Sequence, residues 1–184
     1  MSSMLIVCIL FRSMLVYGDA KRTEDPREKI AALRAGLERL GTARLSIERH
    51  AVLADLLIEA GELEQGLLDD QLARNGEERP SPVREAASRL TRAAAEALLA
   101  SFHNLGSLSR REPIERALDE LLVCDLPATI EISIPEGYAF YGLYPETYLC
   151  AAENVLRQAE EGSLKVIGIR SIGTGLAAAV AAVA

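Results

Sequence analysis

A cation, two hydroxyls and two glycines fall within six consecutive positions, Arg170-Ser171-Ile172-Gly173-Thr174-Gly175. Before them stands Lys165-Val166-Ile167-Gly168-Ile169, an apolar run of the kind that forms a strand buried on both faces. After them Leu176 to Ala184 is apolar on every side. A strand, a glycine-bearing turn and a helix together present backbone N–H groups that have no partner inside the helix, and the helix dipole adds positive potential at that end. Gly173 and Gly175 permit a close approach by a ligand. Ser171 and Thr174 can donate hydroxyl hydrogen bonds, and Arg170 can grip a phosphate with two of its donors. The chemistry to expect is phosphate binding, although the same composition also suits an ordinary strand-to-helix turn. It is neither a Walker A loop nor the three-glycine dinucleotide fingerprint.

Other reactive side chains offer less. His50 and His103 fall on helical segments with no Ser, Cys or Asp at a suggestive spacing, which points to solvated or packing roles. Glu62 with Glu64, and Asp69 with Asp70, imitate a metal site but are explained by helix faces. Tyr141 and Tyr144 could stack on a ligand base, while the group Tyr138, Tyr141, Tyr144 and Tyr148 also suits core packing. The three cysteines, Cys8, Cys124 and Cys150, are widely spaced and odd in number, as in reduced cytoplasmic proteins, and Cys150 is expected to be buried. No zinc spacing is present, and no protein-held metal is expected from the residues alone.

These groups must be positioned by two kinds of element. Residues 23–126 have helical texture. Asp25, Pro26 and Glu28 predict a helix start, followed by Ile30, Leu33, Leu37 and Leu40 at helical spacing. Further helices are predicted from Ser46 to Gly61, from Leu63 to about Leu72, from Ser81-Pro82 to near Gly106, and from Pro113. Their amphipathic faces require one another, as in a bundle or cap. Residues 127–184 read differently. Thr129 to Ile134 alternates as a half-buried strand, Pro135-Glu136-Gly137 turns, and Tyr138 to Leu143 returns as the second strand of a β-hairpin. A helix from Pro145 and the apolar strand at 165–170 complete the pattern. Residues 1–22 are an N-terminal extension or a strand, with Met14 as a second candidate start.

The composition bounds the function. The chain has 184 residues, 49% hydrophobic and 26% charged, a globular profile. A net charge of −7, with the basic residues scattered among acids, argues against nucleic acid. The apolar run Met4 to Phe11 is well short of the ~20 residues that cross a bilayer.

The segment from Val166 to Ala178, VIGIRSIGTGLAA, resembles the pyrophosphate-loop region of type I phosphoribosyltransferases, and the segment from Ile134 to Glu146, IPEGYAFYGLYPE, strengthens the resemblance. The likeness covers roughly residues 129–184. It implies an α/β fold: an N-terminal helical bundle or cap, then a β-hairpin and an incomplete parallel α/β unit. It further implies phosphoribosyl pyrophosphate or a related sugar phosphate as ligand, with Mg2+ as cofactor. Arg170 would contact the phosphates, and amides around Ile172 to Thr174 would cradle them. The family's paired acids and Thr-Gly loop are not found; Leu121 to Thr129 has one acid, no glycine and the wrong place in the order. That element is expected beyond Ala184, so the chain reads as an incomplete transferase, inactive by itself. The rival expectations are a non-catalytic helical interaction module, with a second copy as one candidate partner, and a phosphate- or nucleotide-sensing protein.

Overall fold

In the computed structural model, which describes residues 21–104, 110–158 and 165–184, a short strand β1 (Lys21–Glu24) leads directly into helix α1 (Pro26–Thr42). The junction is built as predicted. Asp25 caps the helix by accepting a hydrogen bond from the Arg27 amide at 2.7 Å, and Pro26 takes the first helical position. Ile30, Leu33, Leu37 and Leu40 are buried along one face. Helix α2 (Ser46–Asn75) begins with the Glu48 carboxylate accepting from the Arg44 and Leu45 amides at 3.1 and 3.2 Å. In α3 (Pro82–Phe102) the Ser81 hydroxyl accepts from the Arg84 amide at 3.2 Å, again with proline at the start. Helix α4 (Arg111–Leu122) buries Ile114, Ala117, Leu118 and Leu121.

Two predicted helices are one. The chain does not stop at Gly61, and α2 runs through it as a single 30-residue helix. Glycine serves close approach here. A Cβ on Gly61 would lie 3.2 Å from the amide nitrogen of Gly175, and one on Gly66 would meet the Glu131 carbonyl oxygen at 3.2 Å. Two other segments of the chain thus rest directly on the α2 backbone.

Those segments include β2 (Ile130–Ser133), α5 (Glu136–Phe140), α6 (Pro145–Leu156) and α7 (Ile172–Val183). β2 pairs antiparallel with β1, in register from Lys21↔Ser133 to Glu24↔Ile130. Gln65 of α2 fastens β2: its Oε1 accepts from the Ser133 amide at 2.9 Å, and its Nε2 donates to the Glu131 carbonyl at 3.3 Å.

The expected parallel α/β unit is overturned. Among the described residues the protein has seven helices and one two-stranded antiparallel sheet. The β-hairpin is also corrected. Its first strand forms, but its partner is β1, and residues 136–140 coil into α5, followed by Gly142 at φ +60°. Residues 165–169 carry no strand, and Ile167 and Ile169 are 89% and 88% exposed rather than buried on both faces. The physical reason is common to these differences. A strand takes its hydrogen bonds from a neighbouring strand, and the one sheet described is already made by β1 and β2. Cys150, expected inside, is exposed. Of the expected N-terminal strand or extension, residues 21 and 22 belong to β1, while residues 1–20, including the Met4–Phe11 run and Met14, lie outside the described residues.

One core cluster joins the parts. Leu57, Leu63, Leu90, Leu98 and Leu118 pack in the same cluster as Ile130, Ile132, Leu149 and Ala179. Lys29, only 5% exposed, sits at its edge. Its ammonium donates to Glu62 at 2.5 Å and also meets Glu59, tying α1 to α2. Arg22 of β1 shares Glu62. No helix among the described residues is long and apolar enough to cross a membrane.

Candidate functional site

The predicted phosphate loop is the first turn of a helix. α7 begins at Ile172, so Gly173, Thr174 and Gly175 are already helical, and the Thr174 amide donates to the Ser171 carbonyl at 3.2 Å. Ser171, just ahead of the helix, has φ +91°, a conformation strained for a residue with a side chain. Ser171 lies beside Gly61 and Gln65 of α2. The sequence carried no sign of this strain, since glycine would be the ordinary occupant.

The six predicted residues divide between two faces. Ser171, Ile172 and Gly175 turn toward α2, where with Gly61, Gln65 and Tyr138 they leave a void of about 10 Å³. That space holds a water at most. The Tyr138 hydroxyl is buried beside it with no hydrogen-bond partner among the described residues, and burial pushes the phenol well above the usual tyrosine range. Nearby Tyr148 and Glu146 push in the same direction.

Arg170, Gly173 and Thr174 face the other way. They line an open cleft of about 720 Å³, whose opposite wall is α3 with Arg84, Ser88, Thr91 and Arg92. The Thr174 hydroxyl oxygen is buried and unpartnered among the described residues. Ser88 donates to Glu64 at 2.5 Å. The guanidinium of Arg170 is already engaged: its Nε meets Asp69 at 2.8 Å and its Nη1 meets Glu78. Arg84 reaches the same Glu78 carboxylate at 3.4 Å. α3 therefore supplies two cleft arginines that sequence reading missed. The available signal was their spacing, since Arg84, Ser88 and Arg92 recur every fourth residue on one helix face.

No family model, curated protein or solved structure matches this chain. The cleft has to be understood from its own chemistry. A volume of this size accommodates a small metabolite, and among its lining groups the hydroxyls and guanidiniums are donors that phosphate oxygens accept from, beside the carboxylates of Glu64 and Glu78. Tyr141 and Tyr144, the candidate base-stacking residues, are 61% and 64% exposed and do not line it. Magnesium does not fit a protein-held position here. Glu78 is taken by two arginines, Asp69 by Arg170 and Gln65, and Glu64 by Ser88. Among the described residues no group of His, Cys, Asp and Glu could hold a metal ion.

A second constellation escaped the sequence because its members are far apart in the chain. His50 lies between the Ser101 hydroxyl, 3.1 Å from Nδ1, and the Glu146 carboxylate, 2.9 Å from Nε2. The order hydroxyl–imidazole–carboxylate is that of a nucleophile with its base. Ser101, however, is in the last turn of α3, where free carbonyls and the negative end of the dipole oppose a developing oxyanion. With His103 and Glu153, 2.5 Å apart, this group is better understood as a fastening of α6 to α2 and α3.

Proposed function

We propose that the protein binds the phosphate groups of phosphoribosyl pyrophosphate, or of a related sugar phosphate, in the cleft between α3 and the start of α7. The observation that carries this reading is the convergence of Arg84, Arg92 and Arg170 with Gly173 and Thr174 on one opening. The resemblance of residues 166–178 to a pyrophosphate loop supplies the ligand class. Binding, not turnover, is the activity proposed. Ribosyl transfer requires the ribose hydroxyls and the leaving pyrophosphate to be held together while charge develops on the sugar, and the two carboxylates of the cleft are engaged, Glu64 by Ser88 and Glu78 by Arg84 and Arg170. Isothermal titration with pyrophosphate and with phosphoribosyl pyrophosphate as its magnesium salt tests the reading. Arg170→Ala is expected to weaken binding by roughly tenfold or more, the worth of a charge-assisted hydrogen bond, and Gly173→Val to weaken it by crowding the cleft wall against the Gly168 backbone, 3.2 Å from an added Cβ. Equal affinity in wild type and both variants would remove the loop from the site.

A second reading rests on Ile167 and Ile169, which stand 89% and 88% exposed on either side of Gly168. Two exposed branched side chains on one short segment favour a helical interaction module that meets a second copy of the chain. Sedimentation of the wild type against the double variant Ile167→Asp, Ile169→Asp decides it: a concentration-dependent dimer lost in the variant supports the module, and two identical monomers exclude it.

A further inference from the structure

We propose that Glu78 occupies the anion subsite of the cleft when no ligand is bound, and that a phosphate group enters by taking its two arginines. The inference rests on the phosphate-binding reading above and names the regulation of that site. Arg84 comes from α3 and Arg170 from the approach to α7, yet both guanidiniums converge on one carboxylate, Arg84 Nη1 at 3.4 Å from Oε2 and Arg170 Nη1 on Oε1. A carboxylate and a phosphate present similar oxygens to a guanidinium, so a pair of arginines that closes on one will close on the other. The carboxylate here is intramolecular. It belongs to the connection between α2 and α3, a stretch without regular structure that leaves α2 through Gly76 at φ +73°.

The exchange favours the ligand for electrostatic reasons. The Glu78 side chain is 33% exposed and those of Arg84 and Arg170 are 40% and 28% exposed. Ion pairs this open to water are weak. A pyrophosphate brings more negative charge than a single carboxylate, and Asp69 remains as the second partner of Arg170 at 2.8 Å, keeping that guanidinium in place during the exchange. Arg84 thereby becomes a ligand-binding residue, and Glu78 a competitor that sets the affinity threshold of the cleft.

Titration of the full chain with inorganic pyrophosphate tests the exchange. Glu78→Gln, which keeps the shape and removes the charge, is expected to tighten binding about fivefold, the scale of an exposed pair, while Arg84→Ala weakens it. Cleavage by a glutamate-specific protease after Glu77 and Glu78 is expected to quicken in the wild type when pyrophosphate is added, because the connection is released. If the wild type binds pyrophosphate but Glu78→Gln binds it no more tightly, Glu78 is no competitor and this inference alone falls. If neither protein binds pyrophosphate, the phosphate reading of the cleft falls and takes the inference with it.

Discussion

Arg170 was recognisable in the sequence by its place at the head of a glycine-bearing turn, but its neighbours were not. Asp69 and Glu78 stand roughly a hundred positions earlier in the chain and still share its guanidinium. Tyr138 has a similar history. Its aromatic ring was expected to help build a hairpin, whereas its hydroxyl is buried beside Gly175, without a partner among the described residues. The consequence is a pH dependence. Because burial raises the phenol, the folded chain keeps a proton that the unfolded chain gives up near pH ~10, so the contribution is intact below that value and is lost as pH rises above it. Tyr138→Phe is expected to stabilise the fold by about 1 kcal/mol through removal of an unsatisfied hydroxyl. It should also flatten the alkaline decline, and urea unfolding at about pH 8 and about pH 10.5 measures both effects.

At the scale of elements, α2 is the organising piece, and its glycines explain how. Gly61 admits the first turn of α7, and Gly66 admits β2. Gly61→Val would drive a branched side chain into the Gly175 backbone, with an expected cost of about 1–3 kcal/mol in denaturant unfolding and a parallel loss of ligand affinity as α7 shifts. The control is Ala73→Val on the exposed end of the same helix, where little change is expected. Lys29 is the second organising feature, since it lets two helices approach with carboxylates between them. Lys29→Met leaves Glu62, 8% exposed, with Arg22 as its one cation among the described residues. The expected loss is about 1–3 kcal/mol, read from a lower urea midpoint, because a buried carboxylate that loses one of two cations is costly.

For the whole molecule, the core cluster and the open segment at 165–169 predict very different local stabilities. Amides of Leu90, Ala94 and Leu98, deep in α3, are expected to exchange only with global unfolding. Those of Val166 to Ile169 make no backbone hydrogen bond among the described residues and should exchange almost as fast as in a free peptide. Native-state hydrogen exchange followed by mass spectrometry separates the two classes. Protection of 166–169 only at high protein concentration would instead favour the interaction module.

Much of the helical architecture was legible in the sequence. Asp25-Pro26 and Ser81-Pro82 each opened a helix where predicted, and the apolar faces of α1, α3 and α4 are the buried ones. Helices can be read this way because their hydrogen bonds and caps involve residues only three or four apart. The sheet, the glycine contacts and the cleft could not be read so. Whether Ile130 to Ser133 pairs with β1 or with the residues after it, whether Gly61 ends a helix or seats another, and which acids hold Arg170 depend on distant segments meeting. The sequence by itself determined local order and which faces are apolar. Only the tertiary structure decided the partners, because a strand, a close backbone contact and an ion pair each need a second party that nothing in the local residues names.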